Sequence, residues 1–266
     1  MCAVSFLNTV PLVWGMLRGS QHDVFDLRFD LPAGCADQLR DGRADIGLPP
    51  IAVLLDQDLA VFRGAGIACR GPVRTILLIS RVPFDRIQAL ATDSSSRTSV
   101  LLARLVLKGR YGVAPALLSM TPDLDAMLDV ADAALVIGDP ALRLDPVALR
   151  AGGLFVSDLG EAWLEMTGLP MVFAVWCGDP RFRTPEYERA FLESAQYGVE
   201  RIDEIARAEH ASRGLSFETA RDYLRDNLVL ELGPKEYEGM ERFLAMAREI
   251  GPHQFTSVTA LGGVRR

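Results

Sequence analysis

Apolar and polar positions change period along the chain in short blocks, and each block predicts one strand or one helix. Uninterrupted or alternating apolar runs predict strands, whereas apolar residues that recur every three to four positions predict helices. The predicted strands are 3–7, 24–31, 44–48, 73–80, 133–137 and 171–176. The predicted helices of the same region are 11–17, 33–40, one that opens within 94–100, and 122–130. This alternation predicts an α/β fold with largely parallel sheets.

The last third of the chain changes to a helical pattern. A helix is predicted from Pro185, with Thr184 as its cap, because proline is favoured at the first helical position. Further helices are predicted from about Ser216 and over 234–250. Their apolar faces indicate packing helices, and the pattern assigns no chemistry to them.

Length and composition limit the possible functions. The chain has 266 residues, of which 49% are hydrophobic, so it can bury the cores of two lobes. Its net charge of −7 argues against a general nucleic-acid-binding protein, which needs basic side chains to neutralise phosphates. The four cysteines have no C-x-x-C spacing, so we expect neither a zinc site nor a disulfide framework. The sequence shows no targeting signal and no membrane-length apolar run, which predicts a cytoplasmic protein.

The segment 94–99 places five hydroxyl side chains and Arg97 at the start of a predicted helix. The N–H groups of a helix N-terminus, together with the helix dipole, favour a bound carboxylate or phosphate. Ordinary N-capping is the alternative, because Ser and Thr are preferred caps. The segment holds more hydroxyl groups than one cap requires, which favours anion binding.

Four loops beside predicted strands carry polar or conformationally special residues. They are 8–11, 70–72, 94–99 and 138–140. In α/β folds, ligands bind beyond the carboxyl ends of strands, where loops meet helix N-termini. We therefore expect one cleft that is built from several loops.

Four sequence motifs, in this order, are similar to those of a known enzyme family. They are SFLNTVPL at 5–12, DSSSRTSV at 93–100, VIGD at 136–139, and DLG at 158–160 with TGLPMVFAVW at 167–176. The chain resembles the chorismate dehydratases, which open the futalosine route to menaquinone. The resemblance covers the chain from residue 3 to about residue 180.

The resemblance implies a periplasmic-binding-protein fold of type II, with two α/β lobes and a ligand cleft between them. The first lobe would comprise residues 1–79 and 174–266, and the second 80–173, with the strands 73–80 and 171–176 as crossings. The implied activity is a hydro-lyase reaction that converts chorismate into 3-(1-carboxyvinyloxy)benzoate and water. It implies no cofactor and no metal, and its partner would be this small anionic substrate, not a nucleic acid or a membrane.

The resemblance also implies roles for single residues. Asn8 and Thr75 would be catalytic: Asn8 would hydrogen-bond the ring hydroxyl or the developing charge, and Thr75 would orient the leaving hydroxyl. From the residues alone, Asn8 could instead end the first strand with an Asx-turn, and Thr75 could be a strand former. Substrate binding falls to a larger set from the motif loops: Ser95, Ser96, Arg97, Thr98, Ser99, Ile137, Gly138 and Asp139.

Two of these side chains could have a structural role instead of binding the substrate. Arg97 could pair with Asp93 or Asp139, and Asp139 could fix a loop beside the cleft. The motifs contain no Glu, His or Lys that would be an obvious general base. The resulting hypothesis is that the enolpyruvyl carboxylate of the substrate removes the proton itself.

Two other functions remain open. The first is a binding protein without catalysis, since this fold is used mainly to carry solutes, but such proteins are usually exported. The second is the sister enzyme of the pathway, 1,4-dihydroxy-6-naphthoate synthase, which is expected to use a histidine. The SFLN motif has no histidine near it, which favours the dehydratase.

Overall fold

The computed structural model describes residues 1–93 and 96–251, and these form two β-sheets covered by helices. The strands of this part are β1 (Cys2–Val4), β2 (Arg28–Asp30), β3 (Ile46–Leu48), β4 (Ala60–Cys69), β5 (Ile76–Ser80), β6 (Ala89–Asp93), β7 (Ala116–Met120), β8 (Ala133–Ile137), β9 (Phe155–Asp158), β10 (Met171–Gly178) and β11 (Val229–Glu231). The α-helices are α1 (Val10–Arg18), α2 (Pro32–Arg40), α3 (Arg97–Tyr111), α4 (Leu124–Val130), α5 (Asp139–Leu142), α6 (Pro146–Ala151), α7 (Leu159–Thr167), α8 (Pro185–Val199), α9 (Ile202–Glu209), α10 (Phe217–Asp226) and α11 (Pro234–Ile250).

The first sheet has its strands in the order β11-β4-β10-β3-β1-β2. β1 pairs in parallel with β2 and β3, which follow it along the chain through α1 and α2. β10 is antiparallel to β3 and β4, and β4 is antiparallel to β11. The carboxyl ends of β1 and β3 therefore lie at the same edge of this sheet.

The second sheet has the order β7-β6-β8-β5-β9. β6 is parallel to β7 and β8, whereas β5 is antiparallel to β8 and β9. The carboxyl ends of β6 and β8 share one edge of the sheet. The loops that leave this edge meet the loops of the first sheet at the site described below.

The chain passes from the first sheet to the second after β4 and returns before β10. Among the described residues, β5 pairs with strands of the second sheet and β10 with strands of the first. The lobe boundaries at residues 79 and 174 remain a prediction. The pairing favours boundaries in the connections 70–75 and 168–170.

Both sheets are mixed, although the alternation of strands and helices predicted largely parallel ones. Parallel pairing needs a long crossover connection, usually a helix, between the two strands. β4 leads out of the first sheet and β10 leads back into it, so these two neighbours run in opposite directions although a long segment joins them. The two strands pair antiparallel instead.

The first and last residues of several predicted elements are confirmed. The strand 133–137 and the helix 234–250 match β8 and α11. The cap of α8 is also confirmed, since the hydroxyl of Thr184 accepts the N–H of Tyr187. The strand predicted over 24–31 is too long.

Only Arg28–Asp30 forms β2, and this short edge strand pairs with β1. Phe29 and Leu31 are exposed there, because the sheet ends at β2 and little of the molecule covers them. Alternating apolar residues thus mark a half-buried strand only where another layer packs on the sheet.

The sequence pattern misses β4, the longest strand of the described residues. Its glycines and alanines give a weak strand signal. Gly66 is required by packing, because a Cβ at this position would lie 2.7 Å from the carbonyl oxygen of Ala174 on β10. The strand depends on this close approach, which local sequence does not reveal.

The helices are joined to the sheets by large buried side chains. Trp176 on β10 stacks on Phe191 of α8, with ring centroids 4.7 Å apart, and both rings are fully buried. Such aromatic pairs stabilise by about 1 kcal/mol beyond the area that they bury. No helix in the described part of the chain has the length and apolar character that a membrane span requires.

The connection from β4 to β5 is held by the carboxylate of Asp158, which lies at the start of α7. One carboxylate oxygen accepts the N–H of Val73 and two N–H groups of α7, and the other accepts the N–H of Arg74 at 2.6 Å. Arg74 has a φ of 64°, which is uncommon for a residue with a side chain. Asp158 therefore fixes the backbone immediately before Thr75.

Replacing Asp158 with Ala should lower the free energy of unfolding by about 3 kcal/mol, because several buried N–H groups lose their acceptor. Asp145 is the matched control, since it caps the exposed N-terminus of α6. Asp145→Ala should cost only about 1 kcal/mol. Urea unfolding of the two variants measures the difference, and equal losses would show that Asp158 acts as a helix cap alone.

All four cysteines are buried free thiols. Burial raises the pKa of Cys69 to about 12 and also raises the pKa of Cys177. The hydrogen bond between Cys2 and Cys35 raises the pKa of Cys35 and lowers that of Cys2. Because the reagent cannot reach buried sulfur and most of the thiols stay protonated, Ellman's reagent should titrate none of them in the folded protein at neutral pH. All four should react after denaturation; rapid reaction of a native thiol would contradict this packing.

Candidate active site between the two sheets

A cleft lies between the two sheets, and residues from both of them line it. It is lined from both sides by mainly apolar side chains, and its polar groups are hydroxyls and one amide. The first sheet and its loops contribute Val4, Phe6, Asn8, Pro32, Pro50, Ile67, Phe173 and Ala174. The second sheet and the segments around it contribute Thr75, Ile76, Ser96, Thr98, Ser99, Ile137 and Gly138.

Phe6 and Gly138 bring the two sheets into contact at the cleft. A Cβ on Gly138 would lie 2.8 Å from the ring of Phe6. Gly138 also has φ 64° and ψ −151°, a conformation that is essentially restricted to glycine. Its N–H donates to the carbonyl oxygen of Thr75 at 2.8 Å. Glycine is therefore required at this position both by the backbone and by the facing ring.

The two predicted catalytic residues, Asn8 and Thr75, both line the cleft and share one neighbour. Asn8 lies in the 3₁₀ turn Leu7–Thr9 after β1, and Thr75 precedes β5. The hydroxyl oxygens of Thr75 and Tyr223 are 3.2 Å apart. Burial raises the pKa of the Tyr223 hydroxyl, and the side chains of Thr75 and Asn8 each lower it by less.

One buried atom of this group has an unused hydrogen-bonding capacity. Oδ1 of Asn8 has no partner among the described residues. A buried acceptor without a partner is costly, and such atoms are rare in folded proteins. Oδ1 of Asn8 is therefore a candidate contact for a bound ligand.

The N-terminus of α3 forms another part of the cleft wall. Ser96 is the N-cap, and its hydroxyl oxygen accepts the N–H of Ser99. The hydroxyl oxygen of Thr98 accepts the N–H of Ala52, which belongs to the loop region after β3. Both hydroxyls use their oxygen in these bonds, so their hydrogens are available to an acceptor in the cleft. Ser95 lies outside the described residues.

Arg97 and Asp139, which are predicted to bind the substrate, are not among the described residues that line the cleft. The guanidinium of Arg97 is partly exposed and lies 3.9 Å from the carboxylate of Asp56. Its side chain is thus directed toward Asp56, in the segment that follows β3. Its predicted contact with the substrate is therefore not supported by its position.

Asp139 fixes a loop, which was the structural alternative. One oxygen of its carboxylate accepts the N–H of Leu7 at 3.0 Å, and the other pairs with Arg213. Arg213 also donates to the carbonyl oxygen of Ser5 and pairs with Glu209. Asp139 thus ties the second sheet to the loop that carries Asn8.

The described lining residues include no ionisable side chain. The electrostatic character of the cleft therefore comes from dipoles: the N-terminus of α3, several hydroxyls and one amide. His22 is largely exposed, and His210 hydrogen-bonds the carbonyl oxygen of Leu215 outside the cleft. Neither histidine is placed to act on a ligand there.

The sequence does not predict that Tyr223 and Arg213 lie near the cleft. Both residues come from the C-terminal helical part. Their helices have amphipathic faces that indicate packing, and nothing in the local pattern marks a residue beside the cleft. The unusual signal is that a tyrosine lies on an otherwise apolar helix face, where a buried hydroxyl needs a hydrogen-bond partner. The structure supplies that partner as Thr75.

The sequence matches one known protein family over most of its length. A family model described as menaquinone biosynthesis matches residues 1–249. The chain belongs to this menaquinone biosynthesis family. The resemblance found in the four motifs is thereby confirmed at the level of the pathway.

One relative of this chain is a named enzyme. The chorismate dehydratase of Thermus thermophilus is 30% identical over 160 residues, which are 56% of this chain and 59% of the relative. The match thus spans about three fifths of the relative's length.

Solved structures show the fold of this menaquinone biosynthesis protein. A protein from Archaeoglobus fulgidus has a TM-score of 0.70 at 20% identity, with 94% of this chain and 97% of that chain covered. The alkanesulfonate-binding protein of Xanthomonas axonopodis pv. citri, bound to MOPS, has a TM-score of 0.67 at 14% identity, covering 95% and 93% of the two chains. The periplasmic aliphatic sulphonate binding protein of Escherichia coli has a TM-score of 0.64 at 14% identity, covering 94% and 86%. The predicted periplasmic-binding-protein fold is confirmed.

Replacing Gly138 with Ala should lower the free energy of unfolding by about 3 kcal/mol, from backbone strain and from the clash with Phe6. Gly112→Ala is the matched control, because Gly112 also has a positive φ of 72° but nothing within 4 Å of the added Cβ. It should cost about 1 kcal/mol. Denaturant unfolding measures both losses. Removing the ring with Phe6→Ala should shrink the difference between them; an unchanged difference would contradict the clash.

Proposed function

We propose that this protein is a chorismate dehydratase, which converts chorismate into 3-(1-carboxyvinyloxy)benzoate and water. The observation that carries the proposal is the pair Asn8 and Thr75, which line one cleft, with the buried Oδ1 of Asn8 left without a partner among the described residues. The 30% identical relative named chorismate dehydratase supports the substrate. The family match supports a place in menaquinone biosynthesis.

The N-terminus of α3 is the proposed site for a carboxylate of the substrate. Ser96, Thr98 and Ser99 surround it, and the helix dipole adds partial positive charge there. The rest of the lining is mainly apolar, so water is largely excluded once the ligand is bound. In such surroundings, fixed dipoles hold an anion more strongly than they do in water.

The reaction needs orientation and charge stabilisation more than a strong acid. The ring hydrogen on the ether-bearing carbon is acidified through the conjugated ring carboxylate. Its C–H bond breaks, the electron pair enters the ring, and the C–O bond to the neighbouring hydroxyl breaks. The released proton and hydroxide form water, and the ring becomes aromatic, which supplies the driving force.

The proposed proton acceptor is the enolpyruvyl carboxylate of the substrate itself. The described lining residues offer no carboxylate, imidazole or amine for this step. Asn8 and Thr75 would hold the ring hydroxyl so that the departing oxygen and the hydrogen on the adjacent carbon are correctly placed. Positioning of reacting groups in this way contributes several kcal/mol to a rate.

Purified protein mixed with chorismate should cause a rise in aromatic ultraviolet absorbance and form a product that is lighter by one water in mass. Asn8→Ala should lower kcat by about 100-fold, because a preorganised polar contact to the reacting centre is lost. Asn227→Ala is the matched control, since Asn227 lies at the end of α10 and donates to the carbonyl oxygen of Pro72. Its kcat should stay close to that of the parent.

Other outcomes of this experiment identify the other functions. Binding of chorismate without loss of water would overturn the enzymatic proposal in favour of a binding protein of this fold. Neither binding nor turnover would overturn the substrate assignment and favour the sister enzyme of the pathway. A parent-like kcat for Asn8→Ala would remove Asn8 from the chemistry.

A further inference from the structure

We propose that Tyr223 is a positioning residue, which fixes the hydroxyl of Thr75 so that it presents a hydrogen-bond donor to the ring hydroxyl in the cleft, opposite the acceptor of Asn8. The inference rests on the proposed function, because it assigns a role in that reaction to a residue that does not line the cleft. It depends on three polar side chains from three separate parts of the chain. These lie after β1, before β5 and on α10.

The hydroxyl of Tyr223 is deeply buried beside the cleft. The residue is 2% exposed and lies in an apolar cluster that includes Trp14 and Leu224. Removing a phenol hydroxyl from water without partners is costly. Its polar neighbours are therefore the groups that determine how its hydrogen is used.

Asn8 supplies an acceptor on the side of the first sheet. Its Oδ1 is buried and has no hydrogen-bond partner among the described residues. An amide oxygen only accepts hydrogen bonds, so this atom suits the O–H group of a ligand.

The contact with Thr75 has a definite direction. The hydroxyl of Thr75 donates to the carbonyl oxygen of Val73 at 3.4 Å, so the Tyr223 hydroxyl donates its own hydrogen to Oγ1 of Thr75, 3.2 Å away. The hydrogen of Thr75 is then free of Tyr223. Its contact with Val73 is long, so the oxygen of a ligand can replace that carbonyl as the acceptor.

The arrangement matches a leaving hydroxyl. The substrate hydroxyl donates its hydrogen to Oδ1 of Asn8, and its oxygen accepts from the hydroxyl of Thr75. As the C–O bond breaks, negative charge grows on that oxygen and strengthens the bond from Thr75. Without the Tyr223 hydroxyl, the hydroxyl of Thr75 can reorient and its direction is no longer fixed.

Tyr223→Phe tests the inference, since it removes one oxygen and keeps the ring. We expect kcat for chorismate to fall by about 10- to 100-fold, with KM changing by about 3-fold at most, because the effect is on the departing group. Tyr237→Phe is the matched control: Tyr237 is also buried, but its hydroxyl accepts the N–H of Gly64 away from the cleft. Its kcat should equal that of the parent.

A double-variant cycle separates positioning from a purely structural role. If Tyr223 acts through Thr75, then Tyr223→Phe should have a much smaller effect in the Thr75→Val background than alone. Thr75→Ser retains a hydroxyl and should keep most of the Tyr223 effect. Independent, multiplying effects in the cycle, or a parent-like kcat for Tyr223→Phe, would overturn the inference.

Two further outcomes are distinguishable. If Tyr223→Phe does not fold, 3-fluorotyrosine at position 223 replaces it, because this residue keeps the hydroxyl and alters its donor strength; an unchanged kcat then overturns the inference. If the parent neither binds nor dehydrates chorismate, the proposed function fails and this inference fails with it. If the parent dehydrates chorismate and Tyr223→Phe is equally active, the inference is refuted and the proposed function stands.

Discussion

The carboxylate of Asp139 links the two sheets at the point where the cleft depends on their spacing. It accepts the N–H of Leu7 from the loop after β1 and pairs with Arg213 from the C-terminal part. Arg213 in turn holds the carbonyl oxygen of Ser5. Because this pair is mostly buried, its attraction is less screened than that of a surface ion pair. The loop that carries Asn8 is thereby held against the second sheet, and the contact of Phe6 with Gly138 follows from that placement.

Much of the fold follows from local pattern, and much of the site does not. The periods of apolar residues locate β8 and α11, and the four motifs identify the family. Four predicted loops suggest one cleft, and three of them supply lining residues: Asn8, the Ser96 to Ser99 turn, and Gly138. Local pattern fails where a role depends on distant segments. β4 is set by its close approach to β10, and the hydroxyl of Tyr223 reaches Thr75 only because α10 packs next to it.

The charged residues of the motifs show the same limit. Arg97 and Asp139 lie next to residues that line the cleft, so sequence proximity predicts that they touch the ligand. In the structure their side chains leave the lining and bind other protein groups, Asp56 for Arg97 and Arg213 for Asp139. Which way a side chain leaves the backbone is decided by the first turns of α3 and α5, not by the motif. A cleft lined by dipoles and apolar groups is the result, and it suits a ligand that carries its own base.

The position of Thr75 in the cleft wall depends on contacts from several elements. The backbone immediately before it is held by Asp158, its carbonyl oxygen accepts the N–H of Gly138, and its hydroxyl contacts Tyr223. These three contacts come from α7, from the loop after β8 and from α10, so no single element determines its position. A hydrogen-bond donor that is held on every side needs little reorganisation when charge develops on a departing oxygen, which is the condition under which dipoles accelerate a reaction most. The same restraints explain why the uncommon backbone of Arg74 is tolerated: relaxing it would move Thr75 away from both Gly138 and Tyr223.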